Sequence, residues 1–284
     1  MNRCFISLNA LDNRAAQANI QPMWKAWRRN KLRTSPFPLE WRRVTERLCP
    51  FYHQLSAEDR HELEGHIQVF MAEKQFEACG GFVLNIEHKI CIAAFACLLL
   101  LHRNTDYYPS LRTILVYPGT FVVPMTRHVG SGIMEEGQEA RAGESWEAGA
   151  LVVAWDAVSS AIHVPDSGHN VVLHEFAHQL DYEDGQTNGA PQLGHREPRR
   201  VRQRRYADWS RVMKAEYEHL QQQLLRGEPT ILRDYGATNP AEFFAVATEC
   251  FFGRSRELQT GHPELYEQMK WYYQQDPAKW SAEQ

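Results

Sequence analysis

Apolar residues recur at helical spacing through most of the chain. Stripes near a period of about 3.6 residues run from Trp41 to Leu48 and from Ser56 to Phe76, and Ser56, with Asp59 three residues on, supplies an N-cap for the second helix. Gly80-Gly81 interrupts the pattern. Residues 87–102 contain the longest apolar run, Cys91 to Leu101, which has 11 residues. A membrane span needs about 20, so this run reads as a buried helix. Thr113-Ile-Leu-Val-Tyr117, closed by Pro118-Gly119, and Gly149 to Trp155 (GALVVAW) read as strands. Between them, residues 126–149 are rich in Gly and Glu, show no period, and predict a long surface loop.

Beyond Asn170, itself a fair N-cap, the pattern is helical again. A Gly, Asn and Pro-rich loop from Gly185 to Gly194 precedes a long amphipathic helix from Pro198 to Arg226, with Tyr206, Trp209, Met213, Tyr217, Leu220 and Leu224 on its apolar stripe. Asn239-Pro240 opens a further helix that runs through Phe252 and stops at Gly253. At the other end of the chain, residues 1–35 show no sustained period. They finish in Lys25, Arg28, Arg29, Lys31 and Arg33 with Trp24 and Trp27 interleaved, and read as a solvated, partly flexible basic arm. Pro36-Phe37-Pro38 is a stiff connector to a single domain over 36–284.

Composition narrows the function classes. Thirty-one basic against 35 acidic side chains leave a net charge of -4, which excludes a strongly basic nucleic-acid or membrane binder. The six cysteines form no C-x-x-C pair and several sit in apolar runs, so reduced structural thiols are expected. Arg3, Asp12, Asn13 and Arg14 interrupt what would have to be an apolar signal core, and a cytoplasmic protein is expected. Arg196 to Arg205 holds six arginines against Glu197, but it opens the long amphipathic helix and carries no base-reading motif, so it reads as a solvated face.

The chemistry-bearing segment is His174-Glu175-Phe176-Ala177-His178, H-E-x-x-H on a predicted helix. Four residues advance a helix by about 400°, which leaves the two imidazoles about 40° apart and able to share one ion, with Glu175 beside its water. With 13 histidines in the chain, chance alone yields the motif in about one sequence in twenty of this composition. His61-Glu62-Leu-Glu-Gly-His66 offers an internal contrast. Its histidines are five apart, about 140° round a helix, and are expected to face solvent without sharing an ion. A third ligand must come from elsewhere. Spacing leaves Glu242 divided between ligand and capping box behind Asn239-Pro240, with Glu249, Glu183 and Asp181 as rivals. Asp181, three residues after His178, could instead accept from a ligand histidine.

His174 to Asp181 (HEFAHQLD), Tyr235-Gly-Ala-Thr-Asn-Pro-Ala-Glu242-Phe-Phe-Ala and Gly143-Glu-Ser-Trp146 together resemble the Mlc titration factor A family of zinc peptidases. The likeness extends from Pro36-Phe37-Pro38 through Ile114-Leu-Val-Tyr-Pro118 to Tyr273-Gln-Gln-Asp-Pro277. The family is similar to lethal-factor-type gluzincins. It implies one Zn2+ per chain held by His174, His178 and Glu242, with Glu175 and Tyr235 as catalytic residues.

The implied fold is α+β, mostly helical and zincin-like, with a helical N-terminal lobe and small sheet over 36–168 and a helical C-terminal lobe over 169–284. The active-site cleft would lie between the lobes. The implied activity is an aminopeptidase-type zinc peptidase acting on a peptide substrate, with a Mlc-like transcription repressor as partner and a link to sugar uptake. A non-catalytic binding protein that sequesters the repressor is the alternative. Gly132-Ile-Met-Glu-Glu136 lacks the Asn that completes the amine-anchoring G-x-M-E-N element of some zinc aminopeptidases, so it does not decide between trimming and internal cleavage. GALVVAW, if at a sheet edge, would pair with the substrate backbone.

Overall fold

The computed structural model describes residues 23–119, 121–129, 133–141, 143–146, 149–194 and 197–280, and of 121–146 and 166 the backbone alone. Cys4, Gly132 and Arg196 therefore lie outside the described residues. Residues 23–33 form helix α1 rather than a free arm. Arg29 ties it down, donating to both carboxylate oxygens of Glu73 at 2.8 and 2.7 Å while its guanidinium lies 4.7 Å from the Tyr107 ring centre. Trp24 and Trp27 stay exposed. The sequence pattern missed this helix because its contacts with the body are mostly made by charged side chains, with Leu32 as an apolar one.

α2 (Leu39–Leu48) and α3 (Ala57–Glu73) follow, and Ser56 caps α3 by accepting from the Asp59 N–H. β1 (Gln75–Ala78) leads through the buried α4 (Ile86–Leu98) to β2 (Thr113–Tyr117). The predicted loop is instead built of strands: β3 (Phe121–Val129) and β4 (Ile133–Arg141) pair antiparallel as a separate ribbon, and β5 (Gly143–Trp146) precedes β6 (Ala150–Ala154). Strand pairing here rests on backbone bonds between sequences with little apolar alternation, so the usual signal is missing.

The main sheet runs β1-β2-β6-β5, with β1, β2 and β6 parallel and β5 antiparallel. GALVVAW is thus an interior strand, and the edges belong to β1 and β5. Helix α5 (Trp155–His163) leaves β6, and α6 (Val171–Asp181) lies against β5 and β6. α7 (Arg199–Leu225) buries Trp209, Met213 and Leu220 of its predicted stripe. α8 (Pro240–Gly253), α9 (Ser255–Gly261) and α10 (Pro263–Tyr273) complete the chain. The architecture is mostly helical α+β with a small sheet, as expected.

α6 and α8 run through the core beside the buried α4, each buried along nearly its whole length. Phe176, inside the H-E-x-x-H segment, packs between Phe70 and Tyr108, with ring centres 5.7 and 4.8 Å away. A fully buried aromatic of this size removes well over 100 Å² from water, on the order of 3 kcal/mol. It fixes the rotation of α6, and with it the direction of the neighbouring histidines. Among the described residues no helix is long and apolar enough to cross a membrane, and Cys49, Cys79, Cys91, Cys97 and Cys250 are free thiols.

Candidate metal centre

Both central helices begin with an Asn cap beside the centre. The Asn170 side chain accepts from Val172 and Leu173 N–H groups, and the Asn239 side chain accepts from those of Ala241 and Glu242. These caps set where α6 and α8 start, and therefore where His174 and Glu242 fall. Glu242 thus does sit in the first turn of a capped helix, but its carboxylate turns toward α6. Its Oε2 lies 2.9 Å from His174 Nε2 and 3.3 Å from His178 Nε2, and the two Nε2 atoms are 3.2 Å apart.

Hydrogen positions follow from the far side of His174. Its Nδ1 is 2.8 Å from Glu249 Oε1, an oxygen that also accepts from Arg233 at 2.9 Å. Glu249 Oε2 accepts from the Asn170 backbone N–H at 2.6 Å and from His169 Nδ1 at 2.8 Å. Burial opposes its ionisation, yet the hydrogen bonds from His169 and His174 hold the Glu249 carboxyl down to about 2. An ionised carboxylate can only accept, so His174 Nδ1 carries the proton. The neutral imidazole then presents a lone pair from Nε2 toward His178 and toward the Glu242 oxygen, itself an acceptor.

The His174 Nε2 lone pair and the Glu242 carboxylate face each other beside His178 Nε2, an arrangement that a cation can complete. In the absence of a metal a proton does so: burial opposes it, but Glu242 and Glu249 raise the His174 pKa to about 10, and Glu242 is held well below the usual carboxylate range. The donor set of two imidazoles and one carboxylate suits zinc. Around a tetrahedral zinc with bonds of about 2.0 to 2.1 Å, ligand atoms stand about 3.3 Å apart, close to the 2.9, 3.2 and 3.3 Å found here. His174, His178 and Glu242 are thus a group that could hold a metal ion.

Glu175, the remaining motif residue, is 5% exposed, and burial pushes its carboxyl pKa up while the neighbouring His174 and His178 oppose the rise. Tyr235 sits on a short 3-10 turn, Asp234–Ala237, with its ring centre 5.8 Å from that of His174. At 44% exposure it stands at the open side of the group. All five predicted residues are therefore gathered in one place.

The rival carboxylates do other work. Glu249 stands behind His174 rather than beside Glu242. Asp181 Oδ2 accepts from the Gly189 N–H at 2.8 Å. Burial raises the Glu183 pKa, with the Arg103 charge opposing. Gly189 closes a small knot. Its carbonyl accepts from Trp209 Nε1 at 2.9 Å, its φ is +76°, and a Cβ there would lie 2.3 Å from the Pro240 carbonyl oxygen. Only glycine fits, and the end of α6 is thereby set directly against the start of α8.

The Glu249 hub with His169 and Arg233 was not legible from motif spacing. Its one signal was the seven-residue interval from Glu242, two helical turns, which places both on one face of α8. The contrasting His61–His66 segment differs from expectation. His61 is exposed, but His66 is 1% exposed, with Nδ1 2.7 Å from the Tyr107 hydroxyl and Nε2 3.2 Å from Glu62. The five-residue spacing bars a shared ion, yet it does not require both rings to face water.

The model of the glucose-regulated metallo-peptidase M90 family matches residues 24–274. An uncharacterized protein of Synechocystis is 44% identical over 257 residues, covering 90% of this chain and 91% of the relative. Mlc titration factor A of Klebsiella pneumoniae is 30% identical over 231 residues, 80% of this chain and 83% of its own length. The Salmonella gallinarum protein of that name is 29% identical over 233 residues, 81% and 84% of the two chains.

Proposed function

The chain belongs to the glucose-regulated metallo-peptidase M90 family, and from that premise we propose that it is a zinc-dependent, aminopeptidase-type peptidase whose ion is held by His174, His178 and Glu242. The observation that carries this reading is the meeting of two imidazole Nε2 atoms and one carboxylate oxygen within 3.3 Å, with His174 already committed as a donor on its other side. Zinc, when bound, supplies Lewis acidity that makes water nucleophilic near neutral pH and polarises a peptide carbonyl.

The chain's own residues supply the rest. Glu175 takes a proton from the attacking water. It returns that proton to the departing amine. Tyr235 donates its hydroxyl proton in a hydrogen bond to the oxyanion that develops on the carbonyl. Glu249 keeps His174 in the tautomer that leaves Nε2 free to bind the ion. The substrate backbone extends along β5, an edge of the main sheet, which packs beside α6. A cleft between the 36–168 and 169–284 segments would hold the substrate, and by relation to the Mlc titration factor A proteins a Mlc-like repressor is the proposed partner.

Glu175→Gln tests the assignment. It should keep one zinc per chain by metal analysis and lose peptidase activity by about a hundredfold to ten-thousandfold. Loss of the metal together with the activity would give Glu175 a structural role instead. A regulatory effect on a repressor that survives in the inactive variant would favour the binding-protein alternative.

A further inference from the structure

A cavity of about 660 Å³ opens on the far side of Glu249 from the Glu242 carboxylate, at the N-terminal end of α6. Phe51, Phe95, Leu98 and Leu173 line it and are buried, while Phe252 and Trp280 complete an apolar wall. Its size lies in the range of small-molecule sites, which combine apolar walls with a few polar groups that fix orientation. The function proposed above makes no use of it.

The charged groups among the lining residues are almost all matched. Glu249 accepts from four donors, and Arg254 pairs with Glu257 and donates to the Ile231 carbonyl at 3.1 Å. Arg256 differs. It is exposed, its Nε donates to the Ala278 carbonyl at 3.3 Å, and among the described residues no carboxylate faces its terminal nitrogens. A chamber with an apolar wall of Phe51, Phe95, Leu98 and Phe252, and a guanidinium at its mouth that no carboxylate among the described residues pairs with, complements an anion with an apolar body.

We propose that this cavity binds a small organic acid, its hydrocarbon part against Phe51, Phe95 and Leu98 and its carboxylate on Arg256. Binding reaches the metal centre through hydrogen bonds already present. His169 and Glu249 line the cavity, His169 donates to Glu249, and Glu249 holds His174. An occupant that shifts His169 alters how firmly His174 is oriented. By linkage, occupancy of the cavity and affinity for zinc each change the other by the same factor. Occupancy itself does not depend on the metal reading; only the coupling does.

Calorimetric titration of octanoate and of its neutral isostere octanamide into the metal-free full-length chain tests the site, metal removal preventing the carboxylate from binding the ion. Octanoate should bind, and octanamide should bind about tenfold more weakly, the loss of one charge pair. Arg256→Glu, a surface change, should weaken octanoate by about tenfold or more. Ser255→Trp, which fills the cavity from its rim, should abolish binding of both.

No octanoate binding, or equal binding of acid and amide, or equal binding by wild type and Arg256→Glu, would overturn the site. Zinc affinity, measured by competition with a chromophoric chelator, should shift several-fold with saturating octanoate. An unchanged affinity would overturn the coupling. A chain that bound octanoate but no zinc at all would sink the metal reading while leaving the cavity assignment standing.

Discussion

Asp59, Glu62, His66 and His102 gather the same kinds of side chain as His174, His178, Glu242 and Glu249, yet the two groups are wired in opposite ways. In both, three ligand-type atoms lie within 4.8 Å of one another. Around α3 every imidazole nitrogen already has its own oxygen. His102 Nε2 meets Asp59 at 3.0 Å and Nδ1 meets Glu62 at 3.3 Å, while His66 is shared between Tyr107 and Glu62. The carboxylates there are partly solvated, so water can take up the lone pairs that the rings leave over. Around α6, Glu249 takes up the donor of His174, so the His174 Nε2 lone pair faces the Glu242 carboxylate in a buried place. What sets the α6 group apart is its burial and a carboxylate, Glu249, that fixes the outer face of one ring, not the residue types alone.

His178→Ala should show the largest effect. Metal content should fall from one per chain to none, and peptidase activity should fall with it to background. Zinc retained at full stoichiometry would move the ion to the α3 group and erase the distinction. Tyr235→Phe should keep the metal and cost about a hundredfold to a thousandfold in kcat, as for other single oxyanion donors. An unchanged kcat would place Tyr235 outside the chemistry.

Glu249→Gln sharpens the contrast most directly, because it turns one acceptor oxygen into a donor without changing shape. Zinc affinity, read by chelator competition, should drop about tenfold to a hundredfold. The smallest effect on metal belongs to the other group: His66→Ala should cost about 2 kcal/mol of stability through a lost buried hydrogen bond and a small void, seen in denaturant melts. Zinc content should be unchanged.

The helices that carry the centre were legible because their signals are local. Asn170, Asn239 and Pro240 announce helix starts within a few residues, and the four-residue interval between His174 and His178 is decided by helix geometry alone. What stayed hidden depends on contacts between distant segments. Nothing near Glu249 in the chain reveals that Asn170 and Arg233 will donate to it, and nothing near His66 reveals Tyr107. The β3-β4 ribbon escaped because backbone pairing leaves little trace where apolar alternation is weak, and the condition set for GALVVAW, a place at the sheet edge, is not met, since β5 lies outside it. Fold class, motif helix and the five candidate site residues could be named from pattern and resemblance; the partners that stand behind them required the folded arrangement.

A methyl group at Gly189, far from any motif, would collide with the first turn of α8 and displace the Glu242 backbone. The loop between the two motif segments thus carries a steric requirement that neither segment displays: the start of α8 can lie where it does only with glycine at 189.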